Sequence, residues 1–263
     1  MRNSLILIFV IFCSLCDAQN TVDSLKVKSK KFFVGVNFSS NYCYRTLETS
    51  NSDRYKFLVD SRNESEKPRF GYSFGASSFL KISKYLEFGY GIQYSLDGYQ
   101  TIVDYSNLNF GDMVDPRYGF VYTIFPDGRI VNEIIIRSTY NYIEVPIKMG
   151  FRLGKKRLKY YADAGISISY LFKNDNNYVR KYKDGDIERF EQKEVGFKEV
   201  NKLGVFGTAS IGVSYDLSKR LFIQGTPTFR YGFIETHDSQ IDEHLWSAGF
   251  NCSLYYNLIS SKK

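Results

Sequence analysis

Eight stretches of the chain alternate apolar residues with small or polar ones at a period of two, the pattern of strands with one apolar and one polar face. The first covers 32–45, where Phe32, Val34, Val36 and Phe38 share one face and Gly35, Asn37 and Ser39 the other. The same alternation predicts strands over 69–82, 85 to about 105, 138–153, 158–173, 203–217, 221–235 and 243–258. Connections two, four and six are short, at Ser83-Lys84, Gly154-Lys155-Lys156-Arg157 and Ser218-Lys219. Connections one, three and five are long and polar, near 47–68, 106–137 and 174–202, and the seventh, near 236–242, is intermediate. In an antiparallel ring of strands every second connection falls on the same rim. The expected fold is therefore all-β: an eight-stranded antiparallel up-and-down transmembrane β-barrel over residues 32–258, with long extracellular loops and short periplasmic turns.

A secreted lipocalin-like barrel or a sandwich would use the same alternation with its apolar side inward. Here the polar face is mostly Gly, Ser, Thr and Asn, whereas a water-facing strand surface usually carries more Lys and Glu. Within the third connection, Pro126-Asp127-Gly128 lies between apolar runs and predicts an extra hairpin over 120–137. Pro146 and Pro227 interrupt strands, and each is expected to mark a bulge.

The ends set the compartment. Met1-Arg2-Asn3, the apolar run from Leu5 to Leu15 and Cys16-Asp17-Ala18 read as a cleaved signal peptide over 1–18. A periplasmic segment, 19–31, is expected before the barrel, and a tail, 259–263, after it. These features imply export to a bacterial outer membrane. The 22 Tyr and 22 Phe against one Trp suit strands and interfacial girdles. Outside the signal only Cys43 and Cys252 remain, on opposite faces, so no disulfide is expected. Net charge is +7, but nucleic acid is an unsuitable partner in this compartment.

Tyr142-Ile143-Glu144-Val145-Pro146-Ile147-Lys148-Met149-Gly150 resembles the Tyr-Leu-Glu-Ile-Pro-Leu signature of the PorT-like outer-membrane β-barrel family of Bacteroidota. Tyr160 to Gly165, Phe206 to Tyr215 and Arg230-Tyr231-Gly232 are similar to its continuation. The tail from Leu258 departs from the terminal aromatic common in outer-membrane proteins. The resemblance implies an eight-stranded barrel of the OmpX/OmpA shape and, with Tyr142, Glu144 and Pro146 as its motif, an accessory of a secretion or transport assembly.

Several charges fall on the inward phase of the strands: Glu87, Glu144, Lys148, Arg152, Asp163 and Arg230. A barrel of this size is just wide enough for side chains to fill. These groups are expected to pair and plug the lumen rather than form a conduit or a catalytic carboxylate pair. Lys155, Lys156, Arg157, Lys159, Lys219 and Arg220 collect at the short-turn rim, as a basic ring able to meet anionic head groups or an acidic partner. His237-Asp238-Ser239 with Glu243 and His244 loosely resembles a lipid A deacylase site, with His as base and Ser as nucleophile. A solvated loop explains the same residues. Asp184-Gly185-Asp186-Ile187-Glu188 lacks the spacing of a calcium loop and reads as a turn tip. No metal or cofactor is expected. The expected function is that of a non-enzymatic, monomeric barrel acting through its surface loops in binding, adhesion or envelope integrity. The PorT-like accessory and the lipid A-modifying hydrolase are the alternatives.

Overall fold

A computed structural model describes residues 32–49, 52–104, 131–154, 156–192, 200–237 and 240–258. The expected signal peptide, the segment 19–31, the tail 259–263 and most of the expected hairpin 120–137 lie outside the described residues.

The strands are β1 (Phe32–Glu48), β2 (Glu66–Lys81), β3 (Leu86–Asp104), β4 (Val131–Leu153), β5 (Leu158–Tyr182), β6 (Ile187–Gln192), β7 (Leu203–Asp216), β8 (Leu221–Gly232) and β9 (Asp242–Asn257), with one helix, α1 (Ser52–Ser65). Their order is β4-β3-β2-β1-β9-β8-β7-β5, and the β4–β5 pairing closes an antiparallel ring of eight. The ninth strand, β6, pairs with the far end of β5 and stays outside the ring. Both chain ends of the barrel meet at the short-turn rim, where Leu258 N donates to Phe32 O at 3.0 Å. Two of the turns there close alike. Ser83 Oγ accepts from the amides of Tyr85 and Leu86, and Ser218 Oγ from those of Arg220 and Leu221, so short hydroxyl side chains replace a longer loop.

Alternation decides which way each strand faces. Val36 is 61% exposed and Ile211 69%, while Ser39, Ser95, Ser167 and Ser214 on the other face are buried. An apolar band of this extent around a whole barrel fits lipid rather than water. Tyr42, Phe70, Phe172, Phe229 and Phe233 ring its long-loop side, and Phe151, Tyr160, Tyr215 and Tyr256 its short-turn side. Among the described residues no helix is long and apolar enough to cross a membrane; the strands are the candidates for crossing.

Several expectations need correction. Connection one contains α1, a polar helix without an apolar stripe. Strands β4 and β5 run well beyond their expected outer ends, because Ile134-Ile135-Ile136 and Asn174 to Tyr182 continue the pairing where alternation fades. Val131 to Arg137 is thus a continuation of β4, and the described hairpin that extends the wall is β5–β6. Its turn is at Lys183 to Asp186, with Gly185 at φ +95°. Neither proline makes a bulge. The β3–β4 ladder lacks bridges beside Pro146, and the β7–β8 ladder beside Pro227, but the register is the same on both sides of each gap. A missing donor is tolerated without an inserted residue. The register shifts fall elsewhere, between Pro68 and Tyr72, between Val131 and Glu133, and at Asn141/Tyr142.

Candidate functional site: a plugged lumen

The inward phase of the strands builds the lumen in layers. At the short-turn end Phe33, Phe79, Phe222 and Tyr255 pack as one aromatic cluster. Arg152 of β4 enters it, its guanidinium 4.4 Å from the Phe222 ring centroid, 5.3 Å from Phe79 and 5.1 Å from Tyr161. Arg152 Nε lies 2.9 Å from Glu87 Oε1, and its terminal nitrogens donate to Glu87, Ser214 and Gln224. Three hydrogen bonds from the terminal nitrogens and the ion pair at Nε compensate much of the cost of burying the guanidinium. Tyr161 leans over Gly150, where a Cβ would fall 2.5 Å from its hydroxyl.

Above this layer is a polar cavity of about 90 Å³ lined by Ser, Thr, Asn and Gln side chains, room for several waters. Lys148 and Asp163 border it, 3.8 Å apart. Its ceiling is Arg230 of β8, which pairs with both Asp97 and Glu144 and lies 3.6 Å over the Phe206 ring. Glu144 also accepts from Gln93 Nε2 at 2.9 Å, and Asp97 from Cys43 Sγ at 3.4 Å. Tyr142 is buried edge-on against Phe206, and Pro146 lines the cavity. Tyr142, Glu144 and Pro146 thus share the lumen face, while Ile143 and Val145 between them are exposed on the outer wall.

A further layer lies beyond the outer aromatic girdle. Arg45 pairs with Glu66 and sits 3.5 Å from Glu243 Oε2. Helix α1 adds Arg62, which donates to Glu66 Oε1 at 3.2 Å and to Glu243 Oε2 at 3.0 Å. The hydroxyls of Tyr99 and Tyr140 donate to the same Glu243 carboxylate. Burial raises the Glu243 carboxyl, but Arg45, Arg62 and His237 outweigh it and hold it below the usual range. Four of these ring and cap partners, Arg45, Arg62, Glu66 and Asp97, were not singled out from the sequence. The signal for Arg45 and Asp97 was available, since each continues the inward phase past Cys43 and Ser95.

The lumen charges Glu87, Glu144, Lys148, Arg152, Asp163 and Arg230 fall into three separate pairings rather than one network. The basic rim is more dispersed. Lys156, Arg157, Lys219 and Arg220 are exposed, Lys159 pairs with Asp216, Arg220 donates to Tyr256 Oη at 3.2 Å, and Lys155 lies outside the described residues. Of the hydrolase candidates, Asp238 and Ser239 lie outside the described residues. His237 turns inward, edge-on to Tyr140, whereas His244 stacks on Tyr231 on the outer wall with Nδ1 3.1 Å from Gly232 O. The two histidines therefore do not share a site. Cys43 is buried and Cys252 exposed, both as free thiols. Among the described residues no group of three His, Cys, Asp or Glu side chains is placed to hold a metal ion.

Comparison with known proteins places this architecture. Residues 18–238 match the family described as outer membrane protein beta-barrel domain. No curated protein matches the chain. Among solved structures it is similar to neisserial surface protein A, at 11% identity and TM-score 0.42, covering 88% of this chain and 100% of that one. It is also similar to Ail, the attachment invasion locus protein of Yersinia pestis, at 10% identity and TM-score 0.31, covering 85% and 99%. OprG of Pseudomonas aeruginosa gives 6% identity and TM-score 0.37, covering 86% and 96%.

Proposed function

This chain belongs to the outer membrane protein beta-barrel domain family, and on that premise we propose that it is a non-enzymatic barrel acting through its extracellular surface in binding or adhesion. The observation that carries this reading is the closed lumen. Arg152 among its aromatic rings, Arg230 with its two carboxylates, and the Arg45–Arg62–Glu66–Glu243 layer lie in series across it. A solute would have to break buried ion pairs at three levels, and each costs several kcal/mol to disrupt. What remains for outside contact is the long-loop end, with the β5–β6 hairpin and the exposed Phe57 and Ile187.

The test has two arms. Full-length protein in planar bilayers is expected to give no steady ion conductance, and a stable open conductance overturns the closed-lumen reading. A photo-crosslinking residue at position 57 or 187 on cells is expected to capture the binding partner. A second reading, the PorT-like accessory, is supported by the motif at Tyr142, Glu144 and Pro146 and by the exposed Lys156, Arg157, Lys219 and Arg220 at the periplasmic rim. Stoichiometric capture of an envelope protein from position 219, with none from 57 or 187, selects it.

A further inference from the structure

The lumen leaves one cationic feature of the outer wall unexplained. Arg69 of β2 reaches across β3 to β4, where Nη1 donates to Ser138 O at 3.3 Å and to Thr139 Oγ1. Across β3 the level is occupied by Gly98, held at φ +152° and paired with Thr139, where a Cβ would fall 2.1 Å from Ser138 O. No side chain of β3 stands between Arg69 and its partners. Ser138 directly follows Arg137, so the Arg69 guanidinium is anchored beside the exposed Arg137, near enough for the two like charges to repel.

The nearest carboxylate in the register is Asp175, opposite Thr139 on β5. Neither arginine forms an ion pair among the described residues. Two carboxylates on the same stretch of wall are already engaged, Asp175 by Lys173 at 2.6 Å and Glu133 by Lys181 at 2.5 Å. One register row runs Lys67–Gln100–Arg137–Asn177 across four strands, and Lys67 in it is exposed. Below the row on the same wall are Phe70, Tyr72, Tyr94 and Phe172, the outer aromatic girdle, with Tyr94 Oη donating to Asn141 Oδ1 at 2.6 Å. Two unneutralised guanidiniums just above an interfacial girdle stand at the level of lipid head groups.

We propose that Arg69 and Arg137 form a binding site on the outer wall for the phosphate of an outer-leaflet lipid head group. Guanidinium forks match phosphate oxygens bidentately. A phosphate between them would replace repulsion by two attractive contacts, while the acyl chains of the same molecule lie along the aromatic and aliphatic band below. Lys67 and the amides of Gln100 and Asn177 stand in the row to contact neighbouring sugar or phosphate oxygens. The proposal rests on the outer-membrane reading, which sets this rim in the outer leaflet.

Native mass spectrometry of the full-length protein in detergent, titrated with bisphosphorylated lipid A, tests it. Wild type is expected to retain the lipid, and affinity to fall about fivefold for each guanidinium removed in R69Q and R137Q and about twentyfold in the double variant. Lipid A stripped of phosphate is expected to bind wild type as weakly as intact lipid binds the double variant, an arm that needs no substitution and so survives a misfolded variant. Equal retention of phosphorylated and stripped lipid overturns the proposal, and so does inorganic phosphate competing as tightly as the lipid. Neither outcome depends on conductance or on partner capture, so this proposal and the surface-binding reading fail separately.

Discussion

The two ends of the lumen are closed by different physics. At the short-turn end one arginine is held in a cage of rings, with a single carboxylate and two neutral acceptors, every member on a strand of the ring. At the long-loop end closure relies on charge: three arginines and four carboxylates in two layers, one of them brought by a helix in a connection. The aromatic closure has no helix in a connection to lift. The charged closure has α1, joined to it through Arg62. The difference predicts a fixed floor and an openable roof.

Removing Arg230 strikes the charged closure hardest. Arg230→Ala leaves Asp97 and Glu144 buried without their cation and is expected to cost about 3–5 kcal/mol, read as a lower urea midpoint in lipid vesicles. Restoring neutrality with Asp97→Asn and Glu144→Gln in the same chain is expected to recover most of that loss. A triple variant no better than Arg230→Ala alone breaks the electrostatic account of the roof. Arg152→Met tests the floor. The thioether retains much of the contact with the Phe79 and Phe222 rings, and one buried carboxylate rather than two is left without its cation, so the loss is expected at the low end of the same range, about 3 kcal/mol.

Smaller effects separate cap from barrel. Arg62→Ala is expected to raise amide exchange in α1 by roughly tenfold, while exchange in β1 and β9 stays as in wild type. Acid should mimic it. The Glu243 carboxyl is held below its ordinary value of about 4.3, so its contribution is fully present above that value and is lost as pH falls through the lower folded one. Cap opening that begins near pH 6 rather than below about pH 4 excludes Glu243 as the acid-sensitive group. The least effect is expected at the thiols: reductant leaves gel mobility unchanged, and a maleimide labels Cys252 before buried Cys43.

The barrel was legible in the sequence where each strand has lipid on one side and a narrow lumen on the other. There the period of two is enforced at every residue, as from Phe88 to Ser95 or Ile143 to Arg152. It faded above the girdle, because the projecting ends of β4 and β5 no longer have lipid outside; Ile134-Ile135-Ile136 puts apolar residues on both faces, and Asn174 to Asn177 is polar on both. Helix α1 carried no signal of burial because it has no apolar stripe, and its ion pairs to the barrel among the described residues are made by Arg62. Its partner Glu243 was visible, but in a polar loop pattern that suggested hydrolysis instead of capping. The inward charges could be placed on the lumen face, but which of them meet depends on shear around the ring, and no single strand encodes that. The pairing of Arg230 with Asp97 joins residues 133 positions apart.

The length of β5 sets a stand-off distance. From Lys173, next to the outer girdle, to Tyr182 the strand rises about 3.3 Å per residue at a tilt near 40°, a climb of roughly 23 Å above the apolar band. With β4 on one side and β6 on the other, that climb is made by a paired sheet and not by loose chain. A rigid mast of this height sets the hairpin tip apart from the lipid surface. On the proposed surface-binding reading, a bulky macromolecule would be held there clear of the head groups around the foot of the barrel.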